Sequence, residues 1–246
     1  MKLYNNTILI TGGSSGIGLA LSKHFVQTGN RVIICGRCPE KLERAKEQCS
    51  ELHLYQCDVS DRGQIDLLVS HIKHKFGELN VLINNAAMVH RVNFLETKGV
   101  LEMAAAEMKS NFLGPIGLIY ELFPVLSSNR HAAIINVTTG LVYTPRALYP
   151  FYNATKAALH SFTQVLRKQT EGSNVEIIEV LFPAVNTPWH GGSPPKIAIS
   201  TEQAVTEMIN GLSREKTEIR VAGVRLLYLL SRIAPKFAFM KVNRLA

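Results

Sequence analysis

Short hydrophobic runs rich in β-branched residues alternate along this chain with amphipathic stretches of helix length. Strands that are almost continuously hydrophobic and separated by helices are typical of a parallel sheet covered on both faces. We therefore predict an α/β fold built on a doubly wound parallel sheet. Its strands would be TILIT (7–11), RVIIC (31–35), LHLYQC (52–57), NVLIN (80–84), AIINV (133–137), VEIIEVLF (175–182) and TEIRVAG (217–223).

The stretches between these runs carry helix signals. Pro39 suits the first turn of a helix, Asp61 can cap the next one, and Ser200 opens a Ser-x-x-Gln capping box. A long helical region is expected from about Val100 to Leu126. Because no repeat, low-complexity tract or linker interrupts the 246 residues, we expect residues 1–246 to form a single domain.

The composition is that of a globular protein, with 46% hydrophobic and 19% charged residues. No apolar run reaches the roughly 18 residues of a membrane span, and the first residues lack the apolar stretch of a signal peptide. We therefore expect a cytoplasmic protein. The net charge is +8, but 214–246 alone contributes +6, and no basic–aromatic repeat accompanies it. We predict no nucleic-acid partner.

Four cysteines lie close together in the sequence: Cys35, Cys38, Cys49 and Cys57. Cys35 and Cys38 form a C-x-x-C spacing, which redox or metal sites use. However, no second C-x-x-C and no histidine pair of zinc-ligand spacing follows. We interpret the cysteines as reduced structural thiols and expect no metal site.

The segment TGGSSGIG (11–18) joins the first strand to the first helix. Its glycines permit a tight turn, close backbone approach to a pyrophosphate, and close helix–strand packing. The N–H groups and positive dipole end of the helix would bind phosphates. A βα turn can use glycine for its φ angles alone, but this strand–turn–helix context indicates a dinucleotide site in a Rossmann fold. The candidate contacts are Gly12, Ser14, Ser15, Gly16, Ile17 and Gly18.

The end of the second strand distinguishes between the two nicotinamide dinucleotides. NAD-binding versions generally place an acidic residue there, which holds the ribose hydroxyls. Here Gly36 and Arg37 occupy that point, and a guanidinium can pair with a 2′-phosphate in bidentate fashion. We predict NADP(H) over NAD(H). The alternative is that Arg37 is a solvated turn residue.

Several motifs occur together in an order that resembles the short-chain dehydrogenase/reductase family. Besides the glycine turn, they are CDVSD (57–61), NNAA (84–87), the asparagine of MKSNFLGP, Tyr152-x-x-x-Lys156 and PAVNT (183–187). Within the family, PAVNTP and RIAPKFAF are most similar to the group associated with teichoic-acid D-alanylation genes. The resemblance implies a homo-oligomer and further cofactor contacts, namely Asp58, Val59, Asn85, Ala86, Tyr152, Lys156, Val185 and Thr187.

Tyr152 and Lys156 lie four residues apart, so they share a face if this segment is helical. A phenol has a pKa of about 10, which a nearby ammonium lowers, so Tyr152 could act as a general acid or base. The resemblance implies that Lys156 holds the nicotinamide ribose and that Asn111 supports a water linked to Lys156. Alternatively, the pair belongs to an ordinary amphipathic helix.

The family's serine falls at Thr139, thirteen residues before Tyr152. Threonine keeps the hydroxyl that would bind the substrate oxygen, but its β-branch restricts χ1 and adds a methyl group. Thr138 is a poor substitute, since neighbouring strand residues face opposite sides. We expect Thr139 to take the serine's role in a narrower or altered site.

Two segments are candidates for further contacts. The loop 188–199 carries Trp189 and a Gly191-Gly192 hinge, and we expect it to cover the substrate. The segment 224–246 is apolar with regularly placed cations. It could pack on the core or between subunits, or it could contact a membrane surface.

The sequence thus leaves two classes of function open. The first is an NADPH-dependent oxidoreductase that acts on small or lipid-like carbonyl or alcohol substrates. The rival is an NADP(H)-binding regulatory or scaffold protein, in which Thr139, Ala87 and Ala184 mark weakened chemistry. The joint presence of Tyr152, Lys156 and Asn111 favours the enzyme. A membrane-peripheral accessory role would rest on 224–246 alone.

Overall fold

The computed structural model describes residues 2–190 and 193–244. Seven parallel strands form one sheet in the order β3-β2-β1-β4-β5-β6-β7, which confirms the predicted doubly wound α/β fold. The strands are β1 (Thr7–Thr11), β2 (Arg31–Gly36), β3 (His53–Gln56), β4 (Val81–Asn84), β5 (Ala132–Thr139), β6 (Val175–Phe182) and β7 (Glu218–Arg220).

Helices cover both faces of the sheet, and a hydrophobic core lies on each face. The last strand is shorter than the predicted 217–223, because Ala222 has a positive φ of 46° and leaves the extended conformation. The helices are α1 (Gly16–Gln27), α2 (Pro39–Gln48), α3 (Arg62–Lys75), α4 (Val100–Met108), α5 (Gly114–Ser127), α6 (Pro150–Gln169), α7 (Thr201–Ser213), α8 (Val224–Ile233) and α9 (Pro235–Arg244).

The predicted caps set where two of these helices begin. Asp61 accepts a hydrogen bond from the Gln64 backbone N–H at 3.2 Å, at the start of α3. Ser200 accepts one from the Gln203 N–H at 3.1 Å, at the start of α7. Each cap satisfies a backbone donor that has no partner within its helix.

The strand order reverses between β1 and β4, which are neighbours although β2 and β3 intervene in the sequence. Such a switch point opens a crevice at the carboxyl ends of the strands, where open α/β sheets bind ligands. The loops after β1, β4, β5 and β6 all leave the sheet at this edge. No helix among the described residues is both long and apolar enough to cross a bilayer.

Candidate active site

The turn between β1 and α1 needs its glycines. Gly12 and Gly16 have φ values of +66° and +53°, which residues with a Cβ rarely adopt. A Cβ on Gly12 would lie 3.0 Å from the Ala86 Cα, and one on Gly18 would lie 2.2 Å from the Gly12 carbonyl oxygen. The Ser15 side chain does not cap α1, so it leaves the first N–H groups of the helix for an anion. The turn therefore fits a pyrophosphate.

The end of β4 is tied to this turn through Thr11. Its hydroxyl accepts hydrogen bonds from the Asn85 and Ala86 backbone N–H groups, both at 3.0 Å. The Asn85 side chain donates to the carbonyls of Thr11 and Gly12, at 3.0 and 3.3 Å. Asn85 and Ala86 thus form the wall opposite the glycine turn.

A second group of predicted contacts meets where β2 and β3 end. Arg37 Nη1 lies 4.0 Å from Asp58 Oδ2, and the Ser14 hydroxyl lies 3.4 Å from where a Gly36 Cβ would be. Val59 is buried beside them. Because residue 36 has no side chain, Ser14 and Arg37 line an open corner that suits the adenosine end of a dinucleotide.

The loop after β6 closes over the glycine turn. Val185 is buried and forms a parallel bridge with Ile199. A Cβ on Gly16 would lie 3.2 Å from the Thr187 methyl carbon, so Thr187 lies against the turn. Ile17 packs partly buried against the core, which places it behind this surface.

Tyr152 and Lys156 come together on α6, near the end of β5. Lys156 Nζ lies 5.9 Å from the centroid of the Tyr152 ring and donates a hydrogen bond of 2.8 Å to the Val137 carbonyl. Lys156 is only 1% exposed, and burial lowers the pKa of its ammonium to about 8. An ammonium that is so well shielded from water can respond strongly to nearby charges.

The protonation of Tyr152 differs from what the sequence indicated. Burial raises the pKa of its phenol above the ordinary value, and the charge of Glu107 raises it further. A hydrogen bond with Thr139 opposes these effects. Desolvation therefore outweighs the lowering expected from Lys156, and Tyr152 is held as the neutral phenol. That is the form that a proton donor needs.

Threonines 138 and 139 point to different partners. Thr139 reaches the Tyr152 hydroxyl and accepts a hydrogen bond from the Leu141 N–H at 3.3 Å. The Thr138 hydroxyl instead donates to Glu179 Oε1 at 2.5 Å. Thr139 is thus the one of the two that shares the site with Tyr152.

Asn111 lies in a π-helical turn, Lys109–Leu113, that interrupts the long helix between α4 and α5. Pro115 follows closely and has no N–H to continue the regular ladder, which accounts for the irregular turn. The Asn111 amide accepts from the Met88 N–H at 2.7 Å and donates to the Met88 carbonyl at 2.8 Å. It also donates to the Thr155 hydroxyl at 3.1 Å. Asn111 therefore joins the loop after β4 to α6.

Trp189 brings the start of the predicted substrate loop onto Tyr152. Its ring centroid lies 5.7 Å from that of Tyr152 and 5.6 Å from that of Tyr149. The Gly191-Gly192 hinge lies outside the described residues. Even so, the beginning of the loop reaches the part of the site where a substrate would meet Tyr152.

Two buried carboxylates near the site escaped the sequence interpretation. Glu107 on α4 is fully buried, and its Oε1 accepts from the His90 N–H at 2.7 Å and lies 2.9 Å from His90 Nδ1. No hydrogen bond from a described residue reaches its Oε2. Glu179 on β6 is also fully buried. Nothing in the sequence linked Glu107 to Tyr152.

The four cysteines are free thiols. Cys35 and Cys57 are buried, and burial raises the pKa of the Cys57 thiol to about 12. Such thiols carry little of the reactive thiolate, in keeping with a structural role.

A family model described as short chain dehydrogenase matches residues 6–197. The chain is 43% identical over 233 residues to "Uncharacterized oxidoreductase DltE" of Bacillus subtilis (strain 168), covering 92% of each chain. That match confirms the narrower resemblance noted from PAVNTP and RIAPKFAF.

Two solved structures share the fold. A short chain dehydrogenase from Burkholderia cenocepacia J2315, in complex with NADP, has a TM-score of 0.87 at 24% identity and covers 98% of this chain and 99% of its own. A short chain dehydrogenase/reductase from Burkholderia phymatum, in complex with NAD, has a TM-score of 0.84 at 17% identity and covers 100% of this chain and 98% of its own. A nicotinamide dinucleotide is thus common to both neighbours, whereas the 2′-phosphate is not.

Proposed function

The chain belongs to the short-chain dehydrogenase/reductase family, and on that premise we propose that it is an NADP(H)-dependent oxidoreductase of carbonyl or alcohol substrates. The observation that carries this proposal is the arrangement of three side chains. Tyr152 is a neutral phenol hydrogen-bonded to Thr139, and the Lys156 ammonium lies 5.9 Å from its ring.

The nicotinamide, when bound, supplies or accepts the hydride. The chain's own residues bind and orient the reactants and move the proton. In the reducing direction, the Tyr152 hydroxyl donates its proton to the carbonyl oxygen, and Thr139 binds the same oxygen and holds it in place. In the oxidising direction, Tyr152 takes the proton of the alcohol. The raised pKa of Tyr152 favours reduction near neutral pH.

Arg37 and Ser14 support NADP(H) as the cofactor. The corner that they line contains no side chain at residue 36 and places the Arg37 guanidinium at the end of β2. Asp58 lies 4.0 Å from that guanidinium but follows the neighbouring strand. A cation next to an open corner suits the 2′-phosphate of NADP(H) better than it suits the free 2′-hydroxyl of NAD(H).

The segment 224–246 supports contact with a membrane surface. The sequence contains no acidic residue after Glu218, and α8 and α9 expose large apolar side chains between their cations. Their exposed fractions include 59% for Leu226, 81% for Ile233 and 50% for Phe237. Apolar side chains beside cations are the pattern of helices that lie on anionic lipid. We therefore infer a cytoplasmic, membrane-peripheral enzyme.

This surface adjoins the catalytic loops. A Cβ on Gly140, the residue after Thr139, would lie 3.0 Å from a Val224 methyl carbon of α8. Asn243 of α9 accepts from the Ala147 N–H at 2.6 Å and donates to the Pro145 carbonyl at 3.1 Å. A lipid-like substrate would therefore have a short path from a bilayer to Tyr152, past Trp189 at the start of the predicted substrate loop.

Exposed apolar side chains elsewhere support a homo-oligomer. Leu101 on α4 and Tyr120 on α5 are 76% and 74% exposed, and Val165 on α6 is 53% exposed. An apolar surface on adjoining helices is typical of a subunit interface. Sedimentation analysis of the native chain and of Tyr120→Glu tests this, and a smaller particle is expected for the variant.

The function itself is tested by NADPH oxidation across a panel of ketones, aldehydes and quinones, comparing the native chain with Tyr152→Phe. We expect turnover that the phenylalanine variant loses, because it cannot donate a proton. Turnover that is indifferent to the change would refute Tyr152 as the donor. Tight NADPH binding without any turnover would favour the cofactor-binding scaffold instead.

A further inference from the structure

A buried ion-pair cluster joins β5, β6 and α6 through Thr138, Glu179 and His160. Its centre is Glu179, which is fully buried on β6. His160 Nδ1 lies 2.8 and 2.9 Å from the two Glu179 oxygens, and the Thr138 hydroxyl donates to Oε1 at 2.5 Å. A carboxylate in the middle of a sheet core is costly unless it is paired, and these contacts supply partners for both of its oxygens.

The contacts of Glu179 and Lys156 fall on neighbouring residues of β5, because Thr138 donates to Glu179 and the Val137 carbonyl accepts from Lys156 Nζ. His160 follows Lys156 by one turn of α6, so both side chains project from the same face. Burial disfavours the Lys156 ammonium, and the charge of Glu179 favours it. The one hydrogen bond described for the ammonium goes to the neutral Val137 carbonyl at 2.8 Å. Glu179 is therefore the counter-charge that this buried cation has.

We propose that Glu179 is a positioning residue that keeps Lys156 protonated, and that His160 holds the Glu179 carboxylate in place for this purpose. The inference rests on the proposed function, because it assigns a role to the ion that orients the nicotinamide ribose and faces Tyr152. Neither Glu179 nor His160 touches the reacting atoms. They act through the charge and position of Lys156.

The groups that face His160 come from several elements. The Tyr143 ring lies edge-on at 5.7 Å, and Gln164 Nε2 lies 3.1 Å from His160 Nε2. The hydrogen bond to Glu179 is the main cause that raises the pKa of His160, Glu218 adds to it, and Arg167 opposes it. As pH rises, His160 loses its proton and stops neutralising Glu179. The carboxylate then acts more fully on Lys156, at the pH where a buried ammonium would otherwise discharge.

The direct test follows the ionisation of Lys156 by NMR of the chain labelled with ¹³C-lysine, with Lys156→Met identifying its resonance. In Glu179→Gln we expect the midpoint of the Lys156 titration to fall by about one pH unit or more, as for loss of an adjacent opposite charge. The matched control is Glu176→Gln, an exposed position on the same strand, which should leave the midpoint unchanged. An unchanged midpoint in Glu179→Gln overturns the proposal.

His160→Gln separates loss of charge from loss of packing. It disrupts the same cluster but keeps the Glu179 charge, so the Lys156 midpoint should stay at or above that of the native chain. A fall in both variants would mean that the cluster is only structural. If Glu179→Gln does not fold, the reciprocal measurement decides. Lys156→Met should raise the pKa of His160, since the two cations compete for one carboxylate, and an unchanged His160 titration overturns the proposal.

Activity gives a second readout once a substrate is found. The alkaline limb of kcat/KM for carbonyl reduction should move to lower pH in Glu179→Gln together with the Lys156 midpoint, while Glu176→Gln keeps the native profile. If the alkaline limb of the kcat/KM profile stays in place while the Lys156 midpoint falls, the catalytic part of the proposal is overturned. Absence of turnover in the native chain would refute the proposed function, and the NMR result would still decide whether Glu179 holds the charge of Lys156.

Discussion

Trp189 lies against Tyr152, with ring centroids 5.7 Å apart and ring planes at 57°. Trp189 is the single tryptophan of the chain, so all tryptophan emission comes from the surroundings of Tyr152 and Tyr149. We expect NADPH binding to quench this emission, since reduced nicotinamide absorbs at the wavelengths where tryptophan emits. Fluorescence titration measures the effect.

A displaced tryptophan provides the control for this titration. Trp189→Phe combined with Tyr4→Trp puts the fluorophore at an exposed position before β1, at the opposite edge of the sheet. Its emission should respond weakly to NADPH. Equal quenching at both positions would show that the cofactor does not bind beside Trp189.

We expect the Thr139 hydroxyl to be needed for activity. Thr139→Val keeps the shape of the side chain but removes its hydrogen bond to Tyr152, and it should lower kcat about 10²–10³-fold, as for loss of an oxyanion-binding donor. Thr139→Ser should keep or raise activity, because the hydroxyl remains and the methyl group is lost. Steady-state kinetics of the three proteins decides this, and equal rates for threonine and valine would refute the role.

We expect Arg37 to set the preference between the cofactors. Arg37→Glu should raise the Kd for NADPH about 10- to 100-fold, the value of a charged hydrogen bond, and should leave NADH binding equal or tighter. Arg44→Glu is the matched control, since it makes the same charge change at an exposed site on α2. Calorimetric titration with both cofactors checks this. If NADPH affinity survives in Arg37→Glu, NADP(H) specificity is wrong.

We expect Gly18 to be needed both for packing of the turn and for cofactor binding. A Cβ there would lie 2.2 Å from the Gly12 carbonyl oxygen, so Gly18→Ala should lower the free energy of unfolding by about 1–3 kcal/mol and weaken NADPH binding. Gly223→Ala is the control, because no heavy atom lies within 4 Å of its Cβ position. Thermal unfolding with and without NADPH measures both effects. A native-like Gly18→Ala would contradict the close packing of this turn.

The surface of α8 and α9 should bind anionic lipid. The native chain is expected to co-sediment with vesicles that contain phosphatidylglycerol and to stay in solution with pure phosphatidylcholine. Arg232→Glu, Lys236→Glu and Lys241→Glu together should weaken binding at least about 10²-fold, at roughly 1 kcal/mol per cation.

A second triple variant controls for net charge. Lys41→Glu, Lys73→Glu and Lys75→Glu make the same change on the exposed faces of α2 and α3 and should leave lipid binding nearly intact. If both triple variants lose binding equally, the contact is a property of overall charge. If neither binds less tightly than the native chain, α8 and α9 do not form a membrane surface.

The sequence was sufficient for whatever depends on residues that are close together in the chain. The glycine turn, the caps at Asp61 and Ser200, and the four-residue spacing of Tyr152 and Lys156 are local patterns. Almost continuously hydrophobic runs separated by helix-length stretches indicated the parallel sheet. The order of the family's motifs identified the candidate site. These features follow from backbone sterics and helix geometry, which short segments already specify.

The C-terminal segment has features that its local sequence pattern did not predict. Its regular cations suggested one amphipathic stretch, but Ala234 leaves the helical conformation before Pro235, so α8 ends and α9 begins there. Only the folded chain shows that Asn243 reaches the loop at Pro145 and Ala147. A hydrogen bond across almost a hundred residues has no signature in the sequence.

The tertiary structure alone decided the electrostatics of the site. Glu107 and Glu179 come from elements far from Tyr152 and Lys156 in the sequence, and packing makes them the charges that act on those two side chains. Burial raises the pKa of Tyr152, whereas the sequence led us to expect that a nearby ammonium would lower it. The sequence determined which chemical groups this protein has, whereas their proton affinities depend on desolvation and on charges that only the fold brings together.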